Sequence, residues 1–256
     1  MKSTLFTDFN LRMNYKPFTV PARILVCGPS SSGKTTFVLK LLQKASDLFV
    51  FPCGENASSS RYPFDNIFLV HRSWQGAYSE IARSVPIPVY FVRNESGNEV
   101  SQVSEREGYS VEELIQEKKS RRPLFIFDDA LQLQGDEILD LFCRQSHHLN
   151  ASIIFILQNI FERSNKILRT LSLNCTAIVL MKNPRDASQI RHLAYQMYPT
   201  TAKAQKMIDI YHEATAAPHS YLVIDLRQDT SDACRLRSNL FCEKTPCYPI
   251  VYSLFP

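Results

Sequence analysis

The stretch RILVCGPSSSGKTTFVLKLL, residues 23–42, decides the fold. An apolar run, Ile24 to Cys27, leads into Gly28-Pro29-Ser30-Ser31-Ser32-Gly33-Lys34-Thr35. Thr36 then opens a helical pattern carried by Phe37, Val38, Leu41 and Leu42. The order predicts strand, loop and helix, and the loop has the G-x-x-x-x-G-K-T spacing that cradles phosphates. Gly28 and Gly33 permit backbone conformations that a side chain hinders, so successive amides can turn inward at the positive end of the helix. Gly28 to Thr36 is therefore the expected nucleotide cradle, comprising Gly28, Pro29, Ser30, Ser31, Ser32, Gly33, Lys34, Thr35 and Thr36. Lys34 is expected to reach the β and γ phosphates, and the Thr35 hydroxyl to ligate Mg²⁺. A chance match in a serine-rich loop is the competing reading, and the flanking strand and helix weigh against it.

The composition fits such a domain. The chain has 256 residues, 45% of them apolar, enough for one α/β core. It has no apolar run near the ~20 residues a membrane span needs. The opening MKSTLFTDFN lacks the apolar centre of a signal peptide. The expectation is an intracellular protein with no membrane partner. Seven cysteines are scattered without a C-x-x-C pair, which predicts buried reduced thiols rather than disulfides or a zinc site. A net charge of +4 permits a polyanionic partner without requiring one.

Further strands are expected at Phe18 to Val20 (a short edge element), Ile67 to Val70, Val89 to Val92, Leu124 to Phe127, Ile153 to Leu157, Thr176 to Met181 and Tyr221 to Leu226. Helices are expected around Tyr78 and Ile81, from Ser110 through Lys119, over Asp136 to His148, around Ile190 to Met197, and onward to about Ala216. Three segments follow: an N-terminal extension (1–22), a core (23–226) and a tail (227–256) with no clear period, packed on the core or extending from it. Trp74, the only tryptophan, reads as a half-buried anchor or a base-stacking ring.

Leu124 to Phe127 is apolar on both faces, as befits a central strand of a parallel sheet, and it ends in Asp128-Asp129. Asp128 is expected to hold Mg²⁺ and Asp129 to polarise the attacking water. A helix N-cap is the alternative role for the acidic pair. Ile153 to Leu157 ends in Gln158, a polar amide suited to orienting water against a γ-phosphate.

Taken in order, GPSSSGKT, SWQ-x-x-Y at 73–78, FIFDDA, R-x-S-H-H at 144–148, IIFILQN, LRTLSLN at 168–174, KNPRD with QIRHLAYQMYP, and YLVIDL form a pattern. It resembles the packaging ATPases of Polinton/Maverick elements and adintoviruses, relatives of the poxvirus-type DNA-packaging ATPase in the HerA–FtsK superfamily. The resemblance spans roughly residues 18–240. It implies a single RecA-like P-loop NTPase domain, with a mostly parallel central sheet, helices on both faces, and the Gln158 strand between the P-loop and Asp128 strands. It also implies ATP and Mg²⁺ as cofactors, a homo-oligomeric ring, and translocation of double-stranded DNA into a capsid through a capsid or portal-vertex partner. The implied location is the host nucleus or cytoplasm at the assembly site, with virion association.

Hydrolysis in such a ring commonly draws on an arginine from the neighbouring subunit. Arg185 is the first candidate, because it follows a strand end and Pro184 restrains its turn; Asp186 is a local carboxylate that can neutralise it. Arg169, expected in a loop, and Arg144, at a helix end, are the others. A guanine-reading N-K-x-D is absent, since Asn165-Lys166-Ile167-Leu168 lacks the aspartate. A nucleotide or polynucleotide kinase and a non-enzymatic ATP-bound scaffold at a capsid vertex remain as alternatives.

Overall fold

The computed structural model describes residues 17–51, 62–93, 115–116, 118–128, 139–161, 166–241 and 249–254. In chain order these form β1 (Phe18–Thr19), β2 (Arg23–Cys27), α1 (Lys34–Gln43), α2 (Ala45–Leu48), β3 (Phe49–Val50), β4 (Asn66–His71), α3 (Gly76–Ser84), β5 (Val89–Arg93) and β6 (Pro123–Asp128). A π-helical turn, Leu141–Gln145, continues as α4 (Ser146–His148). Then come β7 (Ser152–Leu157), α5 (Lys166–Asn174), β8 (Ala177–Met181), α6 (Ser188–Met197), α7 (Thr201–Ala214), β9 (Tyr221–Asp225), β10 (Leu236–Ser238) and β11 (Ile250–Tyr252). No helix among the described residues is long and apolar enough to cross a membrane.

One nine-stranded sheet has the order β11-β10-β9-β8-β2-β7-β6-β4-β5. From β8 to β5 all neighbours are parallel, and β9, β10 and β11 add antiparallel strands at one side. The Gln158 strand β7 lies between β2 and β6, the RecA-like order that the resemblance implied. The central strands are apolar throughout because both of their faces are covered. Ile24 and Val26 pack with Phe37, Val38 and Leu41 of α1 and Tyr78 and Ile81 of α3. Leu25 and Cys27 pack on the other face with Leu168 and Leu171 of α5, Leu193 of α6 and Met207 and Ile210 of α7. Parallel strands share a direction, so β2, β4, β6, β7 and β8 all deliver their C-terminal ends to one edge, where such sheets keep ligands.

Several sequence expectations change in the structure. Residues 166–174, expected to be a loop around Arg169, form helix α5, whose Leu168 and Leu171 are buried against the sheet. The helix expected over Asp136 to His148 is described only from residue 139, and part of it is π-helical. Longer π spacing brings Leu141 and Ser146, five residues apart, to the same buried side. β9 is not the last strand, since β10 and β11 continue the sheet from the tail. Of the helix expected from Ser110 through Lys119, residues 115–116 are helical, 118–119 form a turn, and the rest lies outside the described residues. Among the basic residues following it, Arg122 is tied to Asp65 at 3.0 Å. Cys27 and Cys175 are buried free thiols, as expected, and burial pushes both upward in pKa.

The tail is held by a buried ionic cluster. Asp225 Oδ2 accepts from Arg227 Nη2 at 2.7 Å, Arg237 Nη1 at 3.1 Å and Thr230 Oγ1 at 2.9 Å. Arg237 is fully buried, and burial pulls its guanidinium down to about 9, so it stays cationic at neutral pH. Removing one partner of a buried pair strands the other charge, a loss of about 3–5 kcal/mol. Asp225→Ala should therefore lower unfolding stability by that amount in urea titration. β9 runs antiparallel to β8, with Ala177 opposite Asp225, so this cluster lies at the edge away from the phosphate loop. A variant within 1 kcal/mol of the parent would show that the cluster does not hold the tail.

Candidate nucleotide site

The loop after β2 is built by backbone contacts on three sides. Gly28 N donates to Leu157 O at 3.1 Å, carrying the β2–β7 ladder one residue further. A Cβ on Gly28 would lie 2.6 Å from Met181 Cβ and 2.8 Å from Ser32 Oγ, so close packing requires glycine there. Gly33 is glycine for a different reason, its left-handed φ of 97°. Ser31 is also left-handed, at 62°. A turn from Ser32 N to Pro29 O at 3.2 Å folds the loop, and Phe37 N to Gly33 O at 2.8 Å starts α1. The first turn of α1 carries no acidic residue, which leaves its positive end uncompensated. Lys34 arches back over the loop, its Nζ donating to Gly28 O at 2.8 Å and Pro29 O at 2.9 Å. Thr35 and Thr36 follow it in the first turn.

Asp128 closes β6, two strands from the loop, and is 6% exposed. Tyr78 Oη donates to its Oδ2 at 2.9 Å, and Gln75 Nε2 donates to the same oxygen at 3.3 Å. The carboxylate is thus held by α3 and its N-cap residue, and the residues that a helix-cap role would engage lie outside the described residues. Asp129 lies outside the described residues. The hydroxyl of Thr35 and the carboxylate of Asp128 are the hard oxygen donors that suit Mg²⁺. Among the described residues no three His, Cys, Asp or Glu side chains form a metal cluster. A divalent ion here would draw the rest of its shell from phosphate and water, as Mg²⁺ commonly does.

Trp74 packs on Tyr78, the residue that grips this carboxylate. It packs edge-on against Phe91 at 4.9 Å and Tyr78 at 5.7 Å, with 53% of its surface exposed. The anchor reading therefore describes its inner edge.

Gln158 follows directly on Leu157, whose carbonyl meets the phosphate loop, and it is exposed. Arg185 is exposed in the turn after β8, at the same edge as the loop. Asp186 does not neutralise it. Its Oδ1 accepts from Ser188 N at 2.9 Å and from the Ser188 hydroxyl, and its Oδ2 accepts from Gln189 Nε2 at 2.8 Å. These bonds, Ser188 first, hold the Asp186 carboxyl below the usual range. Arg144, by contrast, pairs with Asp140 at 3.2 Å on the surface, and Arg169 is exposed on α5.

No family model and no curated protein matches this chain. Solved structures similar to it include one titled "ATPase", with 18% identity over 66% of this chain and 68% of that one, at a TM-score of 0.39. Another is the cytoplasmic domain of EssC, with 12% identity over 91% of this chain and 40% of that one, at 0.44. A third is Drosophila ORC bound to DNA, with 13% identity over 79% of this chain and 51% of that one, at 0.27. The chain spans less than two thirds of the latter two. The P-loop assignment stands on the geometry of residues 28–36.

Three contacts at this edge were not anticipated from the sequence. Gln75 and Tyr78 grip Asp128, and the SWQ-x-x-Y stretch is their only signal. Gln189 joins two loops, described below. His219, from the loop before β9, brings Nδ1 to 3.3 Å from Ser32 O, and no local pattern marks it.

Proposed function

We propose that this chain is an ATP-hydrolysing motor that translocates double-stranded DNA, assembled as a homo-oligomeric ring and acting in packaging a virus-like genome into a capsid. The observation that carries the hydrolytic part is the convergence at one sheet edge of the Gly28–Thr36 loop, a buried and doubly gripped Asp128, and Gln158. The DNA and packaging parts rest on the sequence resemblance. In this reading the loop amides and the Lys34 ammonium hold the phosphates, and Thr35 with Asp128 holds Mg²⁺. An Mg²⁺ held by these two groups would neutralise charge on the triphosphate. Gln158 orients the water, Asp129 takes its proton, and Arg185 enters the adjoining subunit's site.

Tyr78 and Gln75 then have a defined task, aiming the Asp128 carboxylate. Loss of an outer-shell partner typically costs 10–100-fold in metal affinity. Tyr78→Phe should raise the Mg²⁺ concentration needed for half-maximal binding of a fluorescent ATP analogue by about tenfold. An unchanged Mg²⁺ titration would assign Tyr78 to packing alone.

The motor reading is tested by measuring ATP hydrolysis with and without double-stranded DNA. Stimulation by DNA of any base composition, with affinity falling steeply as salt rises, is the expected result. Hydrolysis indifferent to DNA, with phosphate transferred to a nucleotide or a polynucleotide end, would turn the assignment to a kinase. ATP binding with no turnover in the assembled protein would leave a scaffold.

A further inference from the structure

Gln189 opens α6 with 9% of its surface exposed, and its amide is fully used. An amide side chain has one acceptor oxygen and two donor hydrogens. Its Oε1 accepts from Ile160 N at 3.0 Å, and Nε2 donates to Asn159 Oδ1 at 3.0 Å and to Asp186 Oδ2 at 2.8 Å. These bonds tie the loop that leaves β7, carrying Gln158, to the turn that leaves β8, carrying Arg185. The Arg185 turn is pinned on its other side as well. Arg185 N donates to Asn183 Oδ1 at 3.1 Å, and Asn183 N donates to Tyr211 Oη at 3.0 Å. The backbone around Arg185 is thus fixed while its side chain stays exposed. A displacement of the Gln158 loop reaches Arg185 through one amide.

We propose that Gln189 is a positioning residue that couples the Gln158–Ile160 loop to the Arg185 turn, so that the arginine a subunit presents outward moves with the occupancy of its own phosphate site. The consequence for a ring rests on the trans role proposed for Arg185; the coupling within one chain does not. The bond from Ile160 N is buried and the two that Gln189 donates are part-buried, so losing the amide leaves the Ile160 N–H without its partner.

Hydrogen exchange on the assembled full chain, with and without AMP-PNP and Mg²⁺, reads the coupling directly. In the parent protein the analogue should slow exchange over residues 182–188 by about tenfold, the scale of one buried hydrogen bond. Gln189→Leu should abolish that response while residues 28–36 remain protected, and Asn159→Ala, which removes one of the two bonds to that loop and leaves Ile160 N on Gln189 Oε1, should reduce it. A parent protein whose 182–188 segment ignores the analogue, a folded Gln189→Leu variant that keeps the response, or an Asn159→Ala variant that responds in full overturns the proposal. Mixed rings separate it from the trans reading. An R185A and K34A mixture should recover turnover, and adding Gln189→Leu to the K34A subunit should reduce that recovery about tenfold through misplacement of the arginine, with KM for ATP unchanged. A dead R185A and K34A mixture beside the expected exchange response refutes only the trans role. Full recovery with Gln189→Leu in the arginine donor refutes the coupling.

Discussion

Arg185→Ala is expected to lower kcat for ATP hydrolysis by on the order of 10³-fold, the lower end of what a guanidinium entering a phosphoryl-transfer site contributes. Charge spreads over the equatorial oxygens as the γ-phosphoryl leaves, and in the proposed site a guanidinium would share it with Lys34 and Mg²⁺. Arg185 suits that role because its turn leaves the sheet at the loop edge and its neighbouring carboxylate is committed elsewhere. Asp186 spends its oxygens on Ser188 and Gln189, so the local ion pair that the sequence allowed does not form. Arg144 has Asp140 at 3.2 Å, and an exposed pair of that kind contributes little to stability. An equal mixture of Arg185→Ala and Lys34→Ala subunits should regain part of the activity, because a Lys34→Ala subunit lends its arginine to the intact loop of an Arg185→Ala neighbour. Verified mixed rings as inactive as either parent would move the assignment to Arg169 or Arg144.

Lys34→Ala should reduce turnover by about 10²-fold or more, the range seen when one preorganised donor to a developing anion is removed. Its ammonium lies on the Gly28 and Pro29 carbonyls, at the mouth of the turn where the loop amides converge. The loss should therefore appear in kcat and in affinity for the triphosphate. The fold should be unaffected, since the side chain contributes little to either apolar core. The check is steady-state hydrolysis beside thermal unfolding of the same preparation. Turnover close to that of the parent protein would remove Lys34 from the chemistry.

Much of this site was legible in the sequence because its parts are local. A phosphate loop is written in consecutive residues. Gly33 must be left-handed and Gly28 must let β8 approach, and those needs fall at fixed spacing beside a strand and a helix. Strands buried on both faces show as unbroken apolar runs, so β2, β6, β7 and β8 and the polar residues at their ends stood out. Helix α5 and the tail strands did not. In β10 the central residue is Arg237, which no strand pattern would place in a core. Asp225, twelve positions earlier, faces it from β9 and offsets its buried charge.

Strand order was the decisive tertiary contribution. Periodicity tells which segments are strands but is silent on which are neighbours. The resemblance, rather than the apolar pattern, supplied the expectation that β7 lies between β2 and β6. The grip of Tyr78 on Asp128 joins residues 50 positions apart, and the link from Gln189 to Asn159 joins residues 30 apart. Both exist because parallel crossovers return distant strand ends to one edge. The sequence alone therefore located the groups proposed to hold a phosphate and a metal ion. Only the packed sheet decided which neutral side chains hold those groups in place, because hydrogen bonds between remote residues depend on a proximity that no local spacing encodes.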